Sequence, residues 1–313
     1  MAAEVEVHAT TFAHEALLYA GIDDFVASTA TFIREGVTRD EPVLVLVGTH
    51  KIGLLREELN GDTDRVVFAD MGSVGTNPAR IIPAWQDFID THLRTDRPVR
   101  GIGEPIWADR SADELVEYQR HESLLNLAFA GAPAWRLLCP YDTTTLPDAV
   151  IDDALRSHPF VVRGTERARS DRYEDPPPRF DAPLPDPPAD AVELAFDRDR
   201  LADGRHLVYC RAADAGLSPS RTNDLVLAAH EILTNSVRHG GGSGTLRIWQ
   251  ENGCVVCEVT DAGRIDDPLA DRRRPDPKEP RGRGLWLANQ LCDLVQIRSR
   301  ADGTVVRLHM RHD

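Results

Sequence analysis

The chain has 313 residues with 36 basic and 51 acidic side chains, so its formal net charge is −15, and 42% of its residues are hydrophobic. This composition excludes a wholly disordered chain, and the acidic balance argues against direct DNA binding, which favours a basic surface. At roughly 150 residues a domain, the length predicts two domains.

The sequence carries no pattern for export or for a membrane. Its densest apolar run, Val43–Val47, is far shorter than the ~20 residues of a membrane-spanning helix. Glu4 and Glu6 stand where a signal peptide would be positively charged, and an odd count of five cysteines favours reduced thiols. We therefore expect a cytoplasmic protein that does not enter a membrane.

Strand and helix patterns alternate through the first half of the chain. The predicted strands are Val43–Val47, Arg65–Ala69, Val99–Gly103 and Trp135–Pro140, and the predicted helices are His50–Leu59, Ala79–Leu93, Ala112–Ala130 and Asp148–Ser157. Such alternation predicts a mostly parallel sheet covered by helices.

A proline-rich segment then divides the chain. Residues 171–190 hold seven prolines and six acidic residues and have no aliphatic run, so they cannot pack a core. We predict one domain over residues 8–165, a linker over 166–190 and a second domain over 191–313.

The second half predicts a helix layer on a largely antiparallel sheet. The predicted helices are Arg221–His239 and Leu285–Leu291, and the predicted strands are Thr245–Gln250, Val255–Thr260, Leu294–Arg300 and Thr304–His309. A charged loop spans about residues 264–281 and is placed to close over a ligand.

Polar residues recur on one face of the long helix. Glu231, Asn235 and His239 stand four residues apart and therefore share a face. An Asn side-chain oxygen suits Mg²⁺, and a Glu can orient or deprotonate a hydroxyl or water. The alternative is an ordinary solvated helix face.

Three further motifs follow that helix. Asp261 and Gly263 end a predicted strand, where Asp can accept a hydrogen bond from an exocyclic amine such as that of adenine. Gly282 and Gly284 precede a helix, whose first backbone N–H groups can hold phosphate. Thr304 begins the last strand. Each motif alone is weak, because surface turns often carry the same residues.

The order of these motifs over Val192–Met310 resembles the ATP-binding domain of the GHKL superfamily, and the run EILTNSVRHG looks most similar to the anti-sigma-factor serine kinases. The resemblance implies an α/β sandwich of the Bergerat type that uses ATP and Mg²⁺. It implies that Asn235 binds Mg²⁺ and that Glu231 is the catalytic base. It implies that Asp261 recognises adenine and that Thr304 assists in this recognition. It also implies that three glycines shape the turns around the base and phosphates: Gly263, Gly282 and Gly284.

The same resemblance implies partners. They are a sigma factor and an anti-anti-sigma protein of the STAS type, whose Ser or Thr receives the phosphate; a homodimer is possible.

Two alternatives stay open. The first is a nucleotide-gated binding module without transfer. The second is a sensor histidine kinase, although Arg264 follows Gly263 where those enzymes usually have D-x-G-x-G, and the linker occupies the place of a phospho-acceptor helix.

The first domain resembles the MEDS sensory domain in the segments HEALLYAGIDDFV, GEPIW, ELVEYQRHESLLNLAFAG and LLCPYD. This resemblance implies a RecA-like three-layer α/β fold that senses a small ligand or signal. Residues 48–53, GTHKIG, lack the G-x4-G-K-[ST] pattern of a phosphate loop, so sensing fits better than ATP hydrolysis.

Some potential metal ligands have a simpler interpretation. Cys254 and Cys257 form a C-x-x-C within a predicted strand, and their odd separation points them to opposite faces, which disfavours zinc. Core packing is the default for Cys139, with a redox or ligand role as the alternative. His14, His121 and Glu122 are weighed as a metal site against ordinary packing.

Overall fold

The structure is a computed structural model that describes residues 11–92, 97–132, 134–275 and 282–312. It divides the chain into two compact units, Met1–Phe180 and Asp181–Asp313. Residues 8–10, at the start of the first predicted domain, and Leu93, at the end of a predicted helix, lie outside the described residues.

The first unit is built on a seven-stranded sheet. In chain order its elements are β1 (Ala13–Tyr19), α1 (Gly21–Thr38), β2 (Val43–Val47), α2 (Thr49–Leu59), β3 (Val66–Asp70), α3 (Met71–Val74), α4 (Ile81–His92), β4 (Val99–Gly103), α5 (Ala112–Ala128), β5 (Trp135–Asp142), α6 (Asp148–Ser157), β6 (Phe160–Arg163) and β7 (Glu166–Arg169), with 3-10 turns at Asn60–Arg65 and Pro78–Arg80. The sheet order is β3-β2-β4-β5-β1-β6-β7, and every pair is parallel except β6 with β7.

Helices cover both faces of this sheet. Adjacent residues of β4 point to opposite faces, and Arg100 lies against Gly36 of α1 whereas Gly101 lies against Trp85 of α4. The strands β1 and β2 are buried along their whole length; β2 reads as a continuous apolar run, whereas β1 also buries His14 and Glu15. This is the three-layer α/β architecture that the sequence predicts.

The second unit is a five-stranded antiparallel sheet with helices. Its elements are β8 (Val192–Asp197), α7 (Leu201–Asp214), α8 (Pro219–His239), β9 (Ser243–Glu251), β10 (Cys254–Asp261), α9 (Gly284–Leu291), β11 (Leu294–Arg300) and β12 (Gly303–Arg311), in the sheet order β11-β12-β10-β9-β8. Side chains of α7, α8 and α9 share one buried apolar core with the sheet, which gives the predicted α/β sandwich.

The predicted linker, residues 166–190, is structured at both ends. Glu166–Arg169 is β7, which pairs with β6 in the first sheet. Near the other end, the carbonyl oxygens of Ala182 and Pro185 accept hydrogen bonds from Arg298 Nε (2.8 Å) and Arg307 Nη2 (2.7 Å) of the second sheet. The unstructured connection is therefore shorter than the composition indicates.

Within the described residues, no helix is both long and apolar enough to cross a membrane.

Candidate nucleotide-binding site

Helix α8 supplies the first part of the site. Glu231 and Asn235 lie one turn apart and are half-buried, while Leu225, Ala228 and Ile232 of the same helix are buried in the core. Among the described residues, neither polar side chain has a hydrogen-bond partner. The helix therefore presents a carboxylate and a carboxamide that are held by the backbone and remain available to a ligand.

The start of α9 lies directly against these two side chains. A Cβ at Gly284, the first residue of α9, would lie 2.7 Å from Asn235 Nδ2 and 3.2 Å from Glu231 Oε2. Only glycine allows this approach without displacing them. Gly282, two residues earlier, has a φ of +81°, which also favours glycine. The structure thus brings the first backbone N–H groups of α9 to the polar face of α8.

The turn after β10 supplies the second part. Ser236 Oγ donates a 2.5 Å hydrogen bond to Asp261 Oδ2, and the backbone N–H of Gly263 donates to Asp261 Oδ1 at 2.7 Å. A Cβ at Gly263 would lie 2.7 Å from Gly240 Cα, and one at Gly240 would lie 2.4 Å from Asp261 Cγ. The Asp261 carboxylate is thereby fixed, and its remaining lone pairs can accept from a ligand.

Thr304 supports the same turn from β12, where it pairs with Asp261. Its hydroxyl donates to Gly263 O at 2.8 Å, so its contact with Ser299 Oγ at 3.0 Å is one in which Ser299 donates. Ser299 Oγ in turn accepts from Ile265 N at 2.7 Å. Since the one hydroxyl proton of Thr304 is already used, Thr304 can meet a ligand only as an acceptor.

The sequence predicts a charged loop, over about residues 264–281, that is placed to close over a ligand. In its described part, Leu269, Asp271 and Arg272 are buried, whereas residues 266–268 and 273–274 are exposed. Asn289 Nδ2 of α9 donates to both the backbone oxygen and Oδ2 of Asp271, each at 3.3 Å. Residues 276–281 of this loop lie outside the described residues.

Sequence reasoning missed two residues that organise the site, Ser236 and Ser299. Ser236 follows Asn235 directly, and a serine in the interior of a predicted helix, where serine is disfavoured, was the available signal. Ser299 stands in β11 and carries no signal that sets it apart from other strand serines. His239, which shares the helix face in the sequence, ends α8 as an exposed residue.

The first unit has no open phosphate loop at residues 48–53. Lys51 Nζ lies 2.6 and 2.7 Å from the two carboxylate oxygens of Glu104 and 2.7 Å from Tyr19 Oη. Burial raises the pKa of Glu104, and Lys51 and Tyr19 oppose that rise. The Lys51 ammonium group forms an ion pair with the buried carboxylate of Glu104 and is therefore not available to bind a phosphate.

The C-x-x-C pair lies in β10 as expected. Cys257 is buried, which raises its pKa to about 12, and Cys254 is half-buried. Within the described residues, neither belongs to a group of three or more His, Cys, Asp or Glu side chains suited to a metal ion.

Comparison with known proteins assigns both units. Residues 13–159 match the family model of the methanogen/methylotroph DcmR sensory domain, MEDS, and residues 194–310 match that of the histidine kinase-like ATPase domain. The chain thus joins a MEDS domain to an ATPase domain of the GHKL type.

A crystal structure of the RsbU and RsbW domains of Rv1364c from Mycobacterium tuberculosis is also similar, at 22% identity and a TM-score of 0.31. The match covers 40% of this chain and 33% of that one, so the chain spans about a third of its length. No curated protein matches the chain.

Proposed function

We propose that the chain is an ATP- and Mg²⁺-dependent regulatory protein kinase of the anti-sigma-factor type, controlled by its MEDS domain. The observation that carries the proposal is the close approach of Gly284 to Glu231 and Asn235. In that arrangement the first turn of α9 lies beside a carboxylate and a carboxamide that have no hydrogen-bond partner among the described residues, which supports a role of this helix end in binding phosphates.

The residues present fit the nucleotide and its metal. Asn235 offers a neutral oxygen of the kind that Mg²⁺ accepts beside its waters, and it is half-buried next to the first turn of α9. Magnesium bound there supplies charge neutralisation on the phosphates. Asp261 accepts a hydrogen bond from the adenine amine, and the N–H groups at the start of α9 bind the phosphates.

Phosphoryl transfer asks the protein mainly for positioning and for a group that receives the acceptor proton. Glu231 performs that second task in this proposal, because its carboxylate lies beside the phosphate-binding helix end and carries no competing ion pair among the described residues. The acceptor is a Ser or Thr of an anti-anti-sigma protein of the STAS type. In its other state the ATPase domain binds a sigma factor, and a small ligand at the MEDS domain shifts the balance between the two states.

The test is transfer of labelled γ-phosphate from ATP to a STAS-type partner. Glu231→Gln keeps the size of the side chain and removes its charge, so transfer is expected to fall by 10²-fold or more while ATP binding persists. Asp224→Asn, on the same helix, is the matched control and is expected to transfer normally.

Two results favour the other functions. Wild-type protein that binds ATP and partner but transfers no phosphate is a nucleotide-gated binding module. Acid-labile phosphate on the chain itself, in place of acid-stable phosphate on the partner, identifies a histidine kinase. Full transfer by Glu231→Gln contradicts the role given to that carboxylate.

A further inference from the structure

Four potential metal ligands that take no part in the proposed kinase reaction lie close together inside the MEDS domain. They are His14, Glu122, Cys139 and His158, all buried, and one ligand atom from each lies within 4.8 Å of all the others. The sequence grouped His14 and Glu122 with His121. The structure instead joins them to Cys139 and His158, and His121 is not a member of the group.

Rigid elements hold the four side chains in place. His14 lies on β1 and Cys139 on the neighbouring parallel strand β5, where the register pairs His14 with Leu137 and puts His14 and Cys139 on one face. Glu122 lies on α5, and His158 directly follows α6. The group therefore ties two helices to the centre of the sheet.

Hydrogen bonds outside the group fix which nitrogen of each imidazole carries the proton. His158 Nδ1 lies 2.8 Å from the backbone oxygen of Ala154, so it must donate. His14 Nδ1 lies 3.2 Å from Asn126 Oδ1, while Asn126 Nδ2 donates to Ser157 O at 2.7 Å. The amide orientation thus makes Asn126 Oδ1 an acceptor, and His14 Nδ1 donates to it as well.

Both Nε2 atoms therefore face the group with a lone pair in the neutral imidazole. Each lies 3.2 Å from Glu122 Oε2, and Cys139 Sγ lies 3.4 Å from His14 Nε2. A carboxylate oxygen between two acceptor nitrogens is repulsive unless a cation or a shared proton lies among them. Glu122 Oε1 and His158 Nε2 are also buried without a hydrogen-bond partner, which is costly and calls for an explanation.

The donor set points to one cation. Zinc binds Cys, His and carboxylate ligands in a tetrahedron with bonds of about 2.0–2.3 Å, which puts its ligand atoms about 3.3–3.7 Å apart. The separations of 3.2, 3.2 and 3.4 Å in the group are close to that spacing. A thiolate ligand disfavours Mg²⁺ and Ca²⁺, which prefer oxygen.

We propose that His14 Nε2, His158 Nε2, Glu122 and Cys139 Sγ form a four-coordinate zinc site in the core of the MEDS domain. On binding, the Cys139 thiol releases its proton to solvent and coordinates as thiolate. The charges of Zn²⁺, one carboxylate and one thiolate then sum to zero, which suits a buried site. Four protein ligands leave no open position, so the ion is structural and joins α5 and the end of α6 to β1 and β5.

The test uses the full chain, freed of metal with a chelator, and is independent of nucleotide binding. We expect it to retain about one zinc ion per chain after desalting from a zinc solution. Replacement by Co²⁺ is expected to give the intense visible bands of a tetrahedral site and a thiolate-to-cobalt charge-transfer band. A folded wild-type chain that retains no zinc overturns the proposal.

Variants assign the ligands. Cys139→Ser is expected to lose the charge-transfer band, whereas Cys254→Ser, in the C-x-x-C pair, keeps it. Glu122→Gln keeps the side-chain volume and serves if Cys139→Ser does not fold; it is expected to weaken zinc binding at least 10-fold. Asn126→Ala leaves all four ligands in place but removes the orienting contact, and a 10- to 100-fold loss of affinity is expected. Unchanged spectra and affinity in both Cys139→Ser and Glu122→Gln would show that zinc binds elsewhere.

Discussion

Ser236 Oγ donates a 2.5 Å hydrogen bond to Asp261 Oδ2, and so joins the helix that carries Glu231 and Asn235 to the turn that carries the proposed adenine acceptor. The two ends of the proposed nucleotide site are thereby joined through one buried contact. Because Ser236 is 1% exposed, water cannot replace the bond without local opening.

Removing that contact is expected to affect binding more than folding. Ser236→Ala leaves Asp261 with the backbone N–H of Gly263 as its remaining partner, so we expect a loss of about 1 kcal/mol in stability, partly offset by the better helix propensity of Ala. The loss in the free energy of ATP binding should be larger than this loss in the free energy of unfolding. Urea unfolding and ATP titration measure the two effects, and Ser220→Ala, exposed on the same helix, should change neither.

Gly284→Ala tests the approach of α9 to α8. The added Cβ would lie 2.7 Å from Asn235 Nδ2, so the Asn235 and Glu231 side chains must move out of their positions. We expect phosphate transfer to fall by at least 10-fold with a small change in unfolding free energy. Gly53→Ala places a Cβ in open space on α2 and should leave transfer unchanged. Normal transfer by Gly284→Ala contradicts the geometry proposed for the phosphates.

Thr304→Val tests whether Thr304 only supports the turn after β10 or also contacts the adenine base. The change keeps the shape of the side chain and breaks the chain of hydrogen bonds from Ile265 through Ser299 and Thr304 to Gly263. Loss of buried partners should cost about 1–3 kcal/mol of stability in urea unfolding. If Thr304 acts only on the turn, ATP and GTP affinities fall together; a selective loss of ATP affinity shows a role in recognising adenine.

Lys51→Met tests whether the lysine of the MEDS domain is structural. It leaves the carboxylate of Glu104 buried without its cation, a change that typically costs about 3–5 kcal/mol. The pKa of Glu104 is already raised in the folded protein, and it rises further without Lys51. The cost of losing Lys51 is therefore fully present above the folded pKa of Glu104 in the variant, and it disappears as pH falls below the folded pKa in the wild type, where Glu104 is protonated in both folded proteins.

Urea unfolding at pH 8 and at pH 5 measures this dependence, and the destabilisation should be smaller at pH 5. Adding Glu104→Gln to Lys51→Met should recover much of the loss, because no charge then remains buried. If the single variant keeps its stability and loses ATP affinity instead, Lys51 belongs to a nucleotide site in the first domain.

Sequence patterns predicted helices with a clear helical period and also strands that are buried on both sides, such as Val43–Val47 and Val99–Gly103. Leu294–Arg300 and Asp148–Ser157 begin and end as predicted, and the helix that carries Asn235 starts only two residues earlier than expected. Strand β1 was missed although it lies at the centre of the first sheet. Its residues AHEALLY are mostly good helix formers, and the adjacent His14 and Glu15 interrupt the apolar run that marks a fully buried strand such as β2.

The site could be predicted only where residues are neighbours in the sequence or match a family motif. Glu231 and Asn235 share a helix face by spacing alone. The contacts of Ser299 with Thr304, and of Cys139 and His158 with Glu122, join separate elements and depend on strand register and helix packing. Neither strand register nor helix packing can be read from a single sequence without the fold.

Calorimetric titration of the full chain with ATP, with and without Mg²⁺, tests the central claim most directly. Wild type and Asn223→Ala, an exposed change on α8, should bind ATP more tightly with Mg²⁺. Asn235→Ala should lose the effect of Mg²⁺, and Asp261→Asn should weaken binding by about 10-fold or more in either condition. Absence of ATP binding by folded wild-type protein, or an unchanged Mg²⁺ effect in Asn235→Ala, would contradict the proposed site.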